Sequence, residues 1–240
     1  MKKILLGFIA IGLLTFVGCK KDDDTETSSD DGTTETSSVE AKDADGNTYK
    51  TVTIGEQEWF AENLKTSKYN DGTDIPNVTG NTEWYNLSTG AWCNYDNSST
   101  NDVTYGKLYN WHAVNTSKLC PTGWHVPTDA EWTVLEDYLT ANGHSETEAQ
   151  ALKATSGWGS GTGWGGGNGT DDYGWSGLPG GYRYYYDGNF GAIGYSGNWW
   201  SSSQYSAYYA WYRFLVDSSD GVNGDVGSKT FGFSVRCLMD

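Results

Sequence analysis

Cys120-Pro121-Thr122-Gly123-Trp124-His125-Val126-Pro127-Thr128-Asp129-Ala130-Glu131-Trp132 is the stretch on which the fold turns. Its second half starts a helix. Thr128 can accept from the Glu131 amide while Glu131 reaches back to the Thr128 amide, a capping box that satisfies two donors a helix end leaves orphaned. Trp132, Leu135 and Leu139 then fall on one face at i, i+3 and i+7, and Asn142-Gly143 stops the run. Ser145 and Glu148 predict a second capping box, ahead of a shorter helix through about Ala154. Both helices read as covers for a core, with no chemistry on them.

Strand signals lie on either side. Upstream, Tyr49 to Ile54 alternates, Gly55-Glu56 turns and Gln57-Glu58-Trp59-Phe60 returns, a hairpin pattern. Downstream, twelve of the 25 residues from Gly157 to Gly181 are glycine, with no Lys or Arg among them. A loop this long is rarely idle. It carries Trp158, Trp164, Tyr173 and Trp175. Tyr182 to Tyr186 and Asn189-Phe190 then flank Asp187-Gly188, which predicts a hairpin with a tight primed turn. Tyr208 to Val216 and Lys229 to Leu238 read as two further strands. These signals describe one α+β domain over residues 47–240, with two short helices, a mixed, mostly antiparallel sheet and long glycine-rich loops.

Composition narrows the function. The chain has 240 residues, and 31 acids against 15 bases set its formal charge at −16. A surface this acidic repels a phosphate backbone, which argues against a nucleic-acid partner. No apolar run reaches the roughly 20 residues a membrane-spanning helix needs, and no heptad pattern is sustained. Aromatic residues reach 15%, including 12 Trp and 17 Tyr, enough large rings to build a core despite few aliphatics.

The N-terminal segment is an address. Lys2 and Lys3 precede the short apolar run Ile4 to Val17, the layout of a signal peptide over residues 1–18. Phe16-Val17-Gly18-Cys19 resembles a bacterial lipobox, with Phe16 in place of the usual Leu and Cys19 as the residue to be lipidated. An ordinary secretory peptide is the alternative. Residues 22–46 carry ten acids against Lys42 alone, with Ser and Thr between them, so 19–46 reads as a disordered tether. Cys19-Lys20-Lys21-Asp22-Asp23-Asp24 resembles the acidic export signal of Bacteroidetes-type surface lipoproteins. That resemblance implies a lipid-anchored protein of the bacterial outer membrane, facing the cell exterior and touching the membrane only through its anchor.

The Cys120 to Trp132 motif also resembles the Fibrobacter succinogenes major paralogous domain family. The match runs back through Tyr105-Gly106-Lys107-Leu108-Tyr109-Asn110-Trp111 and Trp59-Phe60-Ala61-Glu62-Asn63-Leu64. It runs forward through Gly177-Leu178-Pro179-Gly180-Gly181-Tyr182-Arg183, Trp199-Trp200-Ser201-Ser202 and Ser234-Val235-Arg236-Cys237. The resemblance implies a C-type-lectin-like fold, akin to the formylglycine-generating sulfatase-modifying enzymes. In lectin-like domains a bridge ties the first helix region to the last strand, which implies a Cys120–Cys237 disulfide. An oxidising surface location permits it. Cys93 has no partner: relatives often carry a second Cys nine residues on, where this chain has Asp102. A buried structural thiol is the plain reading and a reactive one the alternative.

The same resemblance bears on catalysis. The sulfatase-modifying relatives use a copper-binding cysteine pair after a Gly-Gly-aromatic motif. Here Gly180-Gly181-Tyr182 is followed by Arg183, Tyr184, Tyr185 and Tyr186, with no thiol between Cys120 and Cys237. Without soft thiolates that copper chemistry has no ligands. His112, His125 and His144 lack metal spacing, no Gly-x-Ser-x-Gly elbow occurs, and the glycine run has no Lys and opens no helix. No catalytic residue, metal site or cofactor is assigned, and the expectation is a protein that is not an enzyme. Asp171 and Asp172 stay open as weak glycosidase carboxylates.

Binding is better supplied. Sugars present apolar C–H faces ringed by hydroxyls, so their sites combine flat rings with Asn, Asp, Gln and Ser. Trp59, Trp111, Trp124, Trp132, Trp175 and Trp200 fall on the family's framework positions and read as core. Its variable stretches hold Trp158, Trp164, Tyr184, Tyr186, Tyr208 and Tyr209, the candidate ligand-binding residues, with Tyr185 and Tyr205 beside them. The Glu-Pro-Asn, Gln-Pro-Asp and Trp-Asn-Asp triplets of calcium-dependent lectins are lacking. Asn168-Gly169-Thr170-Asp171-Asp172 reads as an Asx-rich turn, with a structural ion as the alternative. Three functions stay open: a surface module binding glycan or polysaccharide, a protein–protein adhesion or assembly subunit, and an unrecognised enzyme on the same fold. The first is preferred.

Overall fold

The computed structural model describes residues 41–160 and 166–240. The expected signal peptide, Cys19, most of the expected tether and Trp164 lie outside the described residues. No helix among the described residues is long and apolar enough to cross a membrane.

In chain order the domain opens with β1 (Thr51–Ile54), β2 (Gln57–Phe60), α1 (Asn81–Tyr85), β3 (Trp92–Cys93), α2 (Ser99–Tyr105), β4 (Leu108–Tyr109) and α3 (Trp111–Val114). The next elements are β5 (Trp124–His125), α4 (Asp129–Leu139) and α5 (Glu148–Leu152). The second half is β6 (Gly180–Arg183), β7 (Phe190–Ile193), β8 (Ser196–Gln204), β9 (Tyr209–Val216), β10 (Asn223–Ser228) and β11 (Leu238–Met239). Three sheets result, ordered β1-β2-β11-β5, β10-β9-β8-β6-β7 and β3-β4. All their pairings are antiparallel except β6 with β8. The class is α+β.

Two tryptophan-bearing pairs organise the core. Successive strand side chains point to opposite faces. Trp59 therefore packs with Trp132, Trp175 and Trp199, while its neighbour Phe60 packs with Trp111, Trp124 and Trp200. Trp199 and Trp200 repeat the division on β8. α4 closes the first of these clusters with Trp132, Leu135 and Leu139, each fully buried. Such side chains stabilise by about 1.5–3 kcal/mol apiece. The Thr128–Glu131 capping box forms as its spacing predicts, and Arg213 of β9 ties the helix down through Glu136 at 2.5 Å and Asp129 at 2.6 Å. At the β1–β2 turn Gly55 has φ +64° and its Cα faces the Tyr138 ring of α4, so a side chain there would meet both strain and a clash.

Cys120 and Cys237 are bonded, with Cα atoms 5.9 Å apart and 117 residues between them in sequence. They precede β5 and β11, which lie side by side. Cys93 is free and fully buried. Burial pushes its thiol up to about 12, against the pull of the nearby Arg183. Cys93 should therefore stay unlabelled by iodoacetamide in the native protein at about pH 8 and react only after denaturation. Rapid native labelling, located by peptide mass spectrometry, would contradict this.

Several expectations need correcting. Residues 41–46 belong to the fold rather than the tether. Asp43 is buried and accepts from the Asp45 and Asn47 amides and the Tyr49 hydroxyl, and Asp45 holds Ser67. The tight Asp-Gly-Asn turn uses its acids as acceptors, so composition misassigned them. The helices number more than two, because α1, α2 and α3 are single turns or little more, too short for a period to show; α3 has its own cap at Asn110. The Ser145–Glu148 box does not form. α5 begins after Thr147, ends at Leu152, and Glu148 instead accepts from Thr140 and the Glu146 amide. The β6–β7 turn is a four-residue loop, not a two-residue primed turn: the Tyr184 amide donates to Asn189. Residues 229–237 form no continuous strand. They thread between the sheets through isolated bridges of Gly232 to Arg183, Phe233 to Tyr109 and Ser234 to Trp199.

Candidate functional site

Period-2 spacing builds a partly exposed aromatic face. Tyr182, Tyr184 and Tyr186 follow one another at i, i+2 and i+4 along β6 and its loop, with ring centroids 4.8 and 5.1 Å apart. Phe231 and Phe233 make a second ladder at 4.8 Å, and Tyr212 and Phe214 of β9 a third at 5.6 Å. Tyr182 lies edge-on to Phe231 and Phe233, and Tyr212 lies 4.6 Å from Phe233, so the three ladders form one surface. Phe233 and Trp200 are its buried base, and Tyr185 and Tyr186, 40% and 57% exposed, are its outer edge.

The intervening residues hold this surface from below. Arg183, fully buried, points away from Tyr182 and Tyr184 and stacks between Trp84 at 4.6 Å and Phe190 at 4.8 Å. Its guanidinium donates to the carbonyls of Gly188, Val78 and Thr79 and to Asn81 Oδ1. The Gly188 bond closes the loop that carries Tyr185 and Tyr186. Gly181 has φ +66°, and a Cβ there would stand 2.4 Å from the Gly191 carbonyl, so glycine at this position lets β6 approach β7.

Beside the ladders runs an open groove of about 330 Å³ lined by Tyr182, Tyr212, Phe214, Tyr195, Ser196, Asn198 and Asp217 among others. Asn198 is buried and donates to the Gly181 carbonyl at 3.3 Å and to Ser196 Oγ at 3.0 Å. The Tyr182 hydroxyl donates to that of Tyr184 at 2.8 Å. Burial, then this bond, raises the Tyr182 hydroxyl well above the ordinary phenol range. Burial and then Asp225 push Tyr212 up to about 12. Both hydroxyls stay protonated at neutral pH, the Tyr182 proton committed to Tyr184 and the Tyr212 and Tyr184 protons left for a ligand. Flat rings, phenolic donors and amide or hydroxyl groups along one groove can hold a polyhydroxylated ligand by stacking and directed hydrogen bonds.

The six candidates of the sequence separate. Tyr184 and Tyr186 share the ladder. Tyr208 and Tyr209, 76% and 44% exposed, stand at the β8–β9 hairpin instead. There Lys229 fixes the tip by donating to Gln204 Oε1 and the Ala207 carbonyl, and Tyr205 packs on Trp211, which alternation places on the other face of β9 from Tyr212. Trp158 is a correction. It is 6% exposed, its Nε1 donates to the Gly177 carbonyl, and the Lys153 ammonium lies over its ring, so it fastens the glycine-rich loop rather than lining its surface. Tyr182, Tyr212, Phe214 and Phe231 were missed, although the alternation Tyr212-x-Phe214 and Phe231-x-Phe233 is written in the chain. In the Asn168–Asp172 loop, Asn168 Oδ1 accepts from the Trp158 amide ten residues back and both Asp171 oxygens accept from Ser176 five residues on, so these side chains tie the loop to its flanks rather than forming local Asx turns.

A family model described as the Fibrobacter succinogenes major domain matches residues 52–239, most of the chain and all of this site. No curated protein and no solved structure matches.

Proposed function

The chain belongs to the Fibrobacter succinogenes major domain family, and from that premise we propose that it is a surface-anchored lipoprotein that binds neutral glycan chains, without catalysis, along its tyrosine ladder. The observation that carries this is the run of partly exposed rings from Tyr186 to Tyr182 leading into a groove with Asn198, Ser196 and Asp217. Stacking on these rings would bury the C–H faces of successive sugars, and the phenols and Asn198 would meet their hydroxyls. Asp187, Asp217 and Asp225 lie along the same surface and the chain carries −16, which disfavours an anionic glycan there. The anchor, the exterior orientation and the lectin-like relationship enter as readings of the sequence, and they suit a module that meets extracellular polymer.

A second reading has its own observation. The Ser201–Tyr209 hairpin tip is rich in Ser and exposed Tyr and is fixed by Lys229, the composition and rigidity of a protein-binding paratope. A protein partner would dock there and leave the ladder untouched.

An array of plant and bacterial polysaccharides probed with the purified protein, with and without EDTA, separates these readings. Saturable retention on neutral polysaccharides that persists in EDTA is the expected result. Retention on none of them would contradict the glycan reading and turn the search to protein partners.

A further inference from the structure

A second cavity lies away from the tyrosine ladder. It holds about 520 Å³ between the outer end of the β1–β2 hairpin, the last turn of α2 and the loop at residues 174–178. Lys50, Lys65 and Glu62 stand in its wall with Thr51, Ser176, Val52 and the 79%-exposed Val103. Glu62 pairs with Lys65 at 3.2 Å, which leaves the Lys50 ammonium as the uncompensated charge of this wall in a chain of −16.

Beneath it lies a larger electrostatic debt. Arg236 is fully buried, stacked 3.8 Å from the Trp175 ring. Its guanidinium donates to Asn63 Oδ1 at 3.0 Å, to the Ser176 carbonyl at 2.9 Å and to the Trp175 carbonyl, all neutral acceptors. Asn63 and Ser176 are themselves walls of the cavity. The nearest carboxylates are Asp171 and Glu62, and both are engaged elsewhere, Asp171 with Ser176 and Glu62 with Lys65 at 3.2 Å. Burial accordingly lowers the Arg236 guanidinium to about 9. A buried cation without a bonded counter-charge is costly, and the open side from which one can be supplied is this cavity. Lys50 also pairs with no carboxylate among the described residues, whereas Lys107, Lys118 and Arg213 each do.

We propose that this cavity is a second binding site, for a carboxylate-bearing sugar residue of the uronic acid type. Its carboxylate is directed to Lys50 over the positive floor set by Arg236, its ring rests on Val52 and Val103, and its hydroxyls bond Thr51 and Ser176. The carboxylate preference follows from Lys50 and the buried Arg236, with Glu62 taken up by Lys65; only the saccharide part rests on the glycan reading given above. The site would let the protein discriminate acidic from neutral units while the ladder holds the neutral stretch.

Galacturonic acid and galactose, titrated into uniformly ¹⁵N-labelled protein at low salt, test the proposal. The expected result is chemical-shift change at Thr51, Glu62, Gly106 and Ser176 with galacturonic acid, little with galactose, and weakening by added salt. Lys50→Gln should weaken the galacturonic acid response about two- to fivefold. Lys118→Gln, a lysine remote from the cavity, should leave it unchanged. Equal responses to the two sugars, an unaltered Lys50→Gln variant, or no response at all would overturn the proposal. Shifts confined to Tyr182, Asn198 and Tyr212 would also overturn it, while supporting the ladder. Failure of the ladder to bind neutral glycan leaves this readout intact.

Discussion

Replacing both Cys120 and Cys237 by Ser is expected to cost about 4–5 kcal/mol, because the bridge closes a loop of 117 residues whose freedom in the unfolded chain it removes. For a domain of this size that is a fall in melting temperature of roughly 10–15 °C. The site of the bridge adds to the expectation. It joins the segments that enter β5 and β11, and those two-residue strands pair through only Leu238 with His125 and Met239 with Trp124. A ladder that short has little to hold it once the covalent tie is gone. Calorimetry of the wild type with and without reductant, beside the double Ser variant, measures the effect. A melting temperature unchanged by either treatment would contradict it.

Arg183→Met is expected to cost several kcal/mol for a different reason. The substitution fills most of the space between Trp84 and Phe190 but leaves the Val78, Thr79 and Gly188 carbonyls without their donor. Each buried acceptor so orphaned costs about 1–3 kcal/mol. Arg183→Lys keeps the charge, yet a single ammonium cannot reproduce a planar fork reaching three carbonyls and stacking on two rings, so it should recover less than half of the loss. Since the Gly188 bond closes the loop of Tyr185 and Tyr186, both variants should also bind glycan less well. Urea unfolding midpoints read the first effect. A Met variant within about 1 kcal/mol of the wild type would show that the arginine is dispensable to the fold.

What could be read ahead of the structure follows from the range of the interactions. The α4 start was legible because a capping box is local, written in four consecutive residues. The β1–β2 hairpin was legible because alternation and a Gly turn sit within twelve residues. The disulfide followed from a family likeness, and residues 52–239 do match that family. The short helices α1 to α3 were not legible, since a single turn shows no period and is held by what it packs against. Trp158 shows the same limit at the site: an aromatic in a glycine-rich loop looks exposed until Lys153 and Gly177 are found beneath it. Tyr184 and Tyr186 stand out as aromatics in the family's variable stretches, but Phe231, Tyr212 and Phe214 come from segments 20 to 50 positions later, and only the fold brings the ladders together. Arg183 and Arg236 sit in recognisable motifs that carry no local sign of their roles. Their roles depend on carbonyls far along the chain.

The most direct test of the tyrosine ladder is a calorimetric titration of one neutral polysaccharide into three proteins. These are the wild type, Tyr184→Ala/Tyr186→Ala, and Tyr208→Ala/Tyr209→Ala. Stacking on the ladder predicts that the first pair of substitutions weakens binding about tenfold or more. The second pair should leave it at the wild-type value. The reverse pattern would move the binding surface to the hairpin tip, and equal affinity in all three proteins would contradict a role for either.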